Sequence, residues 1–257
     1  MFENIFDSHA HYDSERFIDN VDEILREQTS NGVRFIANIG SSLETSKTTS
    51  ELSRKYPFVY GAVGVHPDDA LSVNSHCLLE LESLVKSNNK IRAIGEIGVD
   101  YFYETIPREE QMKAFEQQLG LAKDLDMPVI IHSRDAFDDT LRILKKYRPK
   151  GVLHCFSGSK EIAREALKLD MYIGFTGVLT FKNARKAVEA ASEIPMDRLL
   201  LETDCPYMAP EPFRGKSSVS SMIAFTAQKL GEIKNLDTQT VLDITCKNAM
   251  SFYGINE

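Results

Sequence analysis

The chain is organised around the segment IFDSHAH at residues 5–11. If this segment is a β-strand, its side chains alternate between two faces, and Asp7, His9 and His11 share one of them. The Cα atoms of the two histidines would lie about 6.7 Å apart, at roughly 3.3 Å per residue, so that both imidazoles can reach one ion through bonds of about 2.0–2.1 Å. The segment therefore predicts a metal site at the end of a first strand, and two exposed histidines at a frayed terminus are the alternative.

Eight segments rich in apolar and β-branched residues recur along the chain, which is typical of a parallel sheet. These segments are Ile5–His11, Val33–Gly40, Val59–His66, Ile91–Asp100, Val129–Ser133, Gly151–Ser157, Met171–Gly177 and Leu199–Asp204. Amphipathic segments of helical spacing lie between them, and two further helices are predicted near Ser220–Gly231 and Thr238–Tyr253. A sheet of eight strands that alternate with helices can close into a barrel, which leaves no exposed sheet edge. The sequence therefore predicts an α/β fold of the (β/α)8 TIM-barrel class, with residues 1–257 in a single domain.

The composition narrows the class of function. No apolar run is long enough to span a membrane, and the N-terminus lacks a hydrophobic leader, so we expect a soluble, cytoplasmic protein that does not bind membranes. Thirty basic against 38 acidic residues give a net charge of -8, which repels a polyanion at long range. Binding of nucleic acid would therefore depend on metal ions and on a local basic rim, for which the candidates are Arg134, Lys182, Arg214 and Lys216.

The cysteines do not explain the chemistry. None of the four is spaced as C-x-x-C, which argues against both a disulfide framework and a thiolate zinc site. We interpret them as small buried apolar side chains, at Cys77, Cys155, Cys205 and Cys246.

Metal-competent side chains instead follow the predicted strands at the ends where a barrel of this class carries its reactive groups. They are His9, His11, Glu96, Asp100, His132, His154, Glu202 and Asp204. Crowding of imidazoles and carboxylates requires a cation to offset their desolvation. Four imidazoles and two carboxylates exceed the needs of one tetrahedral ion, so we expect two divalent ions about 3.5–4 Å apart, with Glu96 as the bridging ligand. The mixed nitrogen and oxygen donors suit zinc, manganese or iron and tolerate magnesium.

Seven motifs spread over the whole chain resemble one known family. They are DSHAH at 7–11, GVHP at 64–67, GEIGVDY at 95–101, IHSR at 131–134, HCFSG at 154–158, GVLTFKNA at 177–184 and LETDCPY at 201–207. The chain resembles the TatD family of metal-dependent deoxyribonucleases, within the metal-dependent hydrolase superfamily. The resemblance implies a TIM barrel that hydrolyses DNA phosphodiester bonds, often as a 3′-to-5′ exonuclease. It also implies two metal sites, one held by His9, His11, Glu96 and Asp204 and the other by Glu96, His132 and His154.

Further roles follow for residues around these ligands. We predict that Asp204 accepts the proton of the attacking water and that Glu96 is catalytic through its bridging position. Substrate contacts are predicted for His66, Arg134 and Arg214. The alternative for Arg134 is an ordinary solvated residue in the first turn of a helix, and the alternative for His66 is a residue that simply ends a strand. Asp7 and Glu202 are expected to orient the ligands from behind, and the aromatic residues 101–103 either stack bases or wall the pocket.

One segment departs from the family pattern. After Phe213-Arg214-Gly215-Lys216, family members usually continue with a polar turn such as Asn-Glu-Pro, whereas this chain reads Ser217-Ser218-Val219. The departure concerns the loop expected to contact substrate and does not involve the metal ligands.

Three classes of function remain at this stage. The first is a hydrolase of DNA, with single strands or DNA ends as substrate and without an obligate protein partner. The second is a two-metal hydrolase of a small lactone, ester or cyclic amide, which the negative net charge favours. The third is a binding module that has lost catalysis, which the retention of all six ligand positions argues against. The fold alone does not separate them.

Overall fold

The computed structural model describes residues 2–103 and 105–256. The strands formed by the described residues are β1 Ile5–Ala10, β2 Val33–Ile39, β3 Val59–Val63, β4 Ile91–Asp100, β5 Val129–Arg134, β6 Gly151–Leu153, β7 Tyr172–Phe175 and β8 Leu199–Leu201. The α-helices are α1 Val21–Ser30, α2 Leu43–Lys55, α3 Ser75–Ser87, α4 Arg108–Asp124, α5 Phe137–Tyr147, α6 Lys160–Leu167, α7 Arg185–Glu193, α8 Ile223–Lys234 and α9 Thr238–Tyr253. Short 3-10 helices lie at Pro67–Ser72, Gly177–Thr180, Met196–Arg198 and Ser220–Met222.

The described strands belong to one sheet, in which their order is the order of the chain, β1 to β8. Every strand pair whose register is described is parallel. Parallel neighbours require a crossover, and each of the seven connections between consecutive described strands contains an α-helix. The predicted (β/α)8 fold class is confirmed.

Two compact units can be distinguished within the chain. The first runs from the N-terminus to Asn38, and includes Cys155–Arg164 and the chain from Tyr172 onward. The second contains Ile39–His154 and Glu165–Met171. The prediction of a single domain stays a prediction.

In the first unit, β1 pairs with β2 and β7 pairs with β8. Helix α9 packs against β1, where the Phe6 and Tyr253 rings stack with centroids 5.7 Å apart. The buried Tyr253 hydroxyl donates to the Ser8 carbonyl oxygen at 2.6 Å, so the ring has a partner at its polar end. These contacts fix β1, which carries His9, against the helix that ends the chain.

In the second unit, β3 to β6 pair in chain order. Helix α4 packs against β4 and supplies Phe115 and Leu119, both almost fully inaccessible to solvent. Gln118 on the same helix accepts from the Val65 amide at 2.8 Å and donates to the Val65 carbonyl at 3.0 Å. The helix thereby fixes the segment that follows β3, next to His66.

Several strands end earlier than the sequence predicts. Strand β6 ends at Leu153 instead of Ser157, and β8 ends at Leu201 instead of Asp204. The backbone leaves the extended conformation beyond both ends, because Cys155 and Asp204 have φ angles of 43° and 59°. Five site residues that were predicted to lie in strands are instead in the loops that follow them, and this part of the prediction was wrong; they are His11, His66, His154, Glu202 and Asp204.

The helix bounds and the burial of the cysteines can also be compared with the predictions. Helix α9 has the predicted bounds, whereas α8 begins at Ile223 after a 3-10 turn. Cys77, Cys205 and Cys246 are buried as predicted, but Cys155 is partly exposed. None of the helices formed by the described residues combines the length and apolar character that crossing a membrane requires.

Candidate metal-binding clusters

The second unit brings three of the predicted ligands to one point. The Glu96 Oε1 atom lies 2.7 Å from His132 Nδ1 and 2.6 Å from His154 Nε2, and these two nitrogens are 3.2 Å apart. Donors around a tetrahedral ion with bonds of about 2.0–2.1 Å are roughly 3.3 Å apart, so the nitrogen–nitrogen distance fits an ion directly. We call Glu96, His132 and His154 the Glu96 cluster. A donor set of one carboxylate and two imidazoles suits a divalent transition metal.

Strand pairing places these ligands. Glu96 lies within β4, and its amide donates to the Gly40 carbonyl at 2.9 Å. His132 lies within β5, opposite Gly98 of β4. Gly98 has a φ of 149°, and an added Cβ there would overlap the His132 carbonyl oxygen. Only glycine therefore allows the close approach of the two strands that carry the ligands.

His132 has a defined orientation because both ring nitrogens have partners. Its Nδ1 faces Glu96 and His154, while its Nε2 lies 2.9 Å from Asp100 Oδ2. Asp100 is in turn fixed by Phe102, whose amide donates to Oδ1 at 2.8 Å, and its own amide donates to Gln111 Oε1 at 2.8 Å. A carboxylate behind a ligand imidazole sets the ring orientation and raises its basicity. Asp100, one of the metal-competent residues named from the sequence, thus lies behind His132 in the structure.

The electrostatics of this cluster favour a cation. Burial lowers the pKa of His132, but hydrogen bonds and negative charge from Asp100 and Glu96 outweigh it and raise the pKa to about 9. Burial raises the pKa of Asp100, but its hydrogen bond to His132 and the nearby positive charge lower it overall. Without a metal, His132 therefore carries a proton at neutral pH, and a bound metal would replace that proton.

His66 lies beside the same cluster. Its ring meets that of His132 edge-on, with centroids 4.4 Å apart, and its Nε2 lies 3.8 Å from Glu96 Oε1. Its Nδ1 accepts from the Asp68 amide at 3.2 Å, so the ring is held by the turn that follows β3. The histidine predicted to bind substrate therefore lies beside the predicted metal ligands of its unit.

The first unit brings together the remaining three predicted ligands. His9 Nε2 and His11 Nε2 are 3.1 Å apart, and Asp204 Oδ1 lies 3.7 Å from the first and 3.3 Å from the second. These spacings again approach those around a single ion. We call His9, His11 and Asp204 the His9 cluster. His9 is fully buried, while His11 and Asp204 are partly exposed.

Backbone contacts bring the last strand's loop to the first strand. The Asp204 amide donates to the His9 carbonyl at 2.9 Å, and the His11 amide donates to the Cys205 carbonyl at 2.9 Å. A β-bridge between Ala10 and Cys205 lies between these bonds. This pairing explains how ligands almost two hundred residues apart in the chain meet.

Asp7 supports the His9 cluster from behind. Its carboxylate accepts from the Thr203 hydroxyl at 2.6 Å, from the Thr203 amide at 3.0 Å, from the Ser220 hydroxyl at 2.7 Å and from the His9 amide at 3.3 Å. Burial raises the pKa of Asp7 to about 6, and the hydrogen bonds only partly offset the effect of burial. Asp7 therefore holds the backbone on both sides of the cluster. Sequence reasoning missed Thr203 and Ser220, because an isolated hydroxyl carries no signal of a long-range partner.

The other predicted residues have definite places. Glu202 is buried, accepts from the Cys155 amide and packs against Gly174, where a Cβ would clash with its carboxylate. Arg134 is partly buried and lies two residues beyond His132 in β5. Arg214 is exposed, with its guanidinium 4.3 Å from the centre of the Phe181 ring. In the segment Ser217-Ser218-Val219, which differs from the family pattern, the Ser218 amide donates to the Pro206 carbonyl at 3.0 Å and anchors this loop.

Histidine and carboxylate clusters at the ends of strands in an eight-stranded α/β fold are typical of a metal-dependent hydrolase. Residues 6–254 match the family model described as TatD related DNase. The chain therefore belongs to the TatD family of metal-dependent hydrolases, and the resemblance seen in the sequence is confirmed.

Individual relatives agree with this assignment. The chain is 38% identical over 255 residues to the uncharacterized metal-dependent hydrolase YabD of Bacillus subtilis, covering 98% of this chain and 100% of that protein. It is 33% identical over 260 residues to the uncharacterized metal-dependent hydrolase YcfH of Escherichia coli, covering 98% of this chain and 96% of that protein. The crystal structure of YJJV, a TatD homolog from Escherichia coli, superimposes with a TM-score of 0.94 at 29% identity over the whole of both chains.

Proposed function

We propose that this protein is a deoxyribonuclease that hydrolyses phosphodiester bonds at single strands or DNA ends, in the manner of a 3′-to-5′ exonuclease. The observation that carries the proposal is the Glu96 cluster, in which one carboxylate oxygen lies 2.7 and 2.6 Å from the nitrogens of His132 and His154. The family description as a DNase supports DNA as the substrate class. A cytoplasmic location is part of the proposal.

The proposal assigns one divalent ion to the Glu96 cluster and one to the His9 cluster. Magnesium, manganese and zinc are the candidates, since both clusters combine imidazole nitrogen with carboxylate oxygen. Such ions lower the pKa of water toward 7 and offset the charge that develops on phosphate oxygens. The bridging role of Glu96 stays a prediction from the sequence.

The residues of the chain have distinct tasks in this reaction. The imidazoles of both clusters would bind the ions in their neutral form. His132 must therefore give up the proton at Nδ1, the nitrogen that faces Glu96 and His154, and can keep the proton at Nε2, which faces Asp100. Asp204, whose Oδ1 faces His9 and His11, is the group that we assign to accept the proton of the attacking water. His66 and the guanidinium groups of Arg134 and Arg214 are assigned to the phosphate, because charge-assisted donors bind phosphate oxygens strongly.

A single experiment tests this function. Purified protein is incubated with single-stranded DNA labelled at either end, across a panel of magnesium, manganese and zinc. We expect mononucleotides to be released from the 3′ end of the strand, and we expect EDTA to abolish this release. The variant His132→Ala should lose nearly all activity, whereas His76→Ala, which removes an exposed histidine of α3 in the same unit, should retain it. Release that persists in EDTA, or full activity in His132→Ala, would contradict the proposal.

A second candidate is a hydrolase of a small lactone, ester or cyclic amide. The net charge of -8 favours it, since a neutral substrate is not repelled at long range. Turnover of such a compound, together with no nucleotide release under any metal, would favour this candidate.

A further inference from the structure

The aromatic run that follows β4 is divided between the interior and the surface. Tyr101 is buried, and its hydroxyl donates to Asp139 Oδ2 at 2.9 Å. The next two rings point outward, because Phe102 is 52% exposed and Tyr103 is 62% exposed. Tyr101 therefore anchors the loop, while the two following rings present apolar surface to solvent.

The exposed rings have a defined arrangement with a cation. The Phe102 and Tyr103 centroids are 4.8 Å apart, with ring planes at 87°. The guanidinium carbon of Arg134 lies 3.7 Å from the Phe102 centroid and 5.2 Å from the Tyr103 centroid. Among the residues that the structure describes, no carboxylate lies within ion-pair distance of Arg134. The guanidinium is therefore oriented by the rings and keeps its donors for a ligand.

This group is connected to the Glu96 cluster by short contacts. One oxygen of Asp100 accepts from the Phe102 amide at 2.8 Å, and the other lies 2.9 Å from His132 Nε2. The Tyr101 amide also donates to the Arg134 carbonyl at 3.0 Å. The Asp100 carboxylate thus contacts both His132 and Phe102. A nucleobase bound on the rings would therefore lie beside the Glu96 cluster.

We propose that Phe102, Tyr103 and Arg134 form a stacking platform for an unpaired nucleobase whose phosphate is held at the Glu96 cluster. The proposal rests on the proposed function and adds to it the side chains that bind the bases of the substrate. Stacking on an aromatic ring requires a base with a free face and tolerates any sequence. Stacking also supplies affinity that does not depend on long-range charge. A protein with a net charge of -8 needs such affinity, because its net charge repels DNA at long range.

The first experiment measures binding without cleavage. The full chain in EDTA is titrated into two fluorescein-labelled strands of equal length, one of thymidine nucleotides and one of abasic tetrahydrofuran nucleotides. Both strands carry the same phosphates, and only one carries bases. We expect tighter binding of the thymidine strand by at least about 5-fold, and Phe102→Ala or Tyr103→Ala should each remove about 5- to 100-fold of that affinity while leaving the abasic strand unchanged.

Three controls accompany these variants. Leu79→Ala truncates a side chain on α3 that is 62% exposed in the same unit, and it should change neither affinity. Phe102→Tyr and Tyr103→Phe keep a ring and should retain the preference for bases. In the metal-loaded protein, Phe102→Ala should raise the KM for the thymidine strand and leave kcat nearly unchanged, because stacking positions the strand without touching the reacting bond.

The outcomes separate this proposal from the proposed function. Equal wild-type affinity for the two strands, or equal losses on both strands in the alanine variants, would overturn the platform whether or not DNA is cleaved. A preference for bases that the alanine variants abolish would support the platform, even where no metal allows nucleotide release and the proposed function fails.

Discussion

Replacing His132 by asparagine removes a group whose protonation should stabilise the metal-free protein. The folded-state pKa of about 9 exceeds the ordinary value of 6.5, because His132 lies between Glu96 and Asp100. This difference corresponds to about 3 kcal/mol of unfolding free energy, at about 1.36 kcal/mol for each pKa unit. Since the folded pKa is the higher one, the stabilisation is complete below about pH 6.5 and is lost as the pH rises through about 9.

The assay is urea unfolding in EDTA at several pH values between 6 and 9.5, followed by circular dichroism because the chain has no tryptophan. The wild-type free energy of unfolding should fall over this range by up to about 3 kcal/mol more than that of His132→Asn. The control His76→Asn alters an exposed histidine and should follow the wild type. Parallel curves for wild type and His132→Asn would refute the reasoning, as would a wild-type stability that rises relative to the variant.

Further predictions concern the surroundings of the same cluster. Asp100→Asn should weaken metal binding about 10- to 100-fold in a calorimetric titration, because the His132 imidazole loses the carboxylate behind it, and unchanged affinity would contradict this role. Gly98→Ala should lower the melting temperature, because the added Cβ would overlap the His132 carbonyl oxygen. As a control, Gly120→Ala lies in helix α4, where an added Cβ meets no atom within 4 Å, and it should raise the free energy of unfolding by up to about 1 kcal/mol. Arg134→Gln should reduce the salt dependence of single-stranded DNA binding by about 0.7 in the slope of log affinity against log salt, and an unchanged slope would argue against a phosphate contact.

Much of the fold could be predicted because its signals are local. Each strand of a parallel sheet is buried on both faces, and its apolar run is visible in the sequence without knowledge of its neighbours. The helix α9 is equally visible, since Asp237 caps its first turn and Gly254 ends it with a φ of 61°. Strand ends were less predictable. Cys155 and Asp204, at which φ is positive, bond through their amides to the distant residues Glu202 and His9, and the local sequence does not reveal these partners.

The candidate site shows the same division. Sequence reasoning could select the candidate ligands that the structure brings together, because a histidine or carboxylate after a parallel strand lies at the reactive end of the fold. It could not identify which nitrogen of His132 faces Glu96, since this depends on the register between β4 and β5. The role of Asp100 and the hydroxyl groups around Asp7 depend on pairings between remote strands and loops, and a residue's type does not reveal such partners.

We propose that the Glu96 cluster and the His9 cluster each hold a divalent ion. Crystals soaked in manganese, with diffraction measured at an energy where manganese scatters anomalously, test it most directly. We predict one anomalous peak within bonding distance of Glu96, His132 and His154, and one within bonding distance of His9, His11 and Asp204. Manganese bound only at surface carboxylates, with both clusters empty at saturating concentration, would contradict the account.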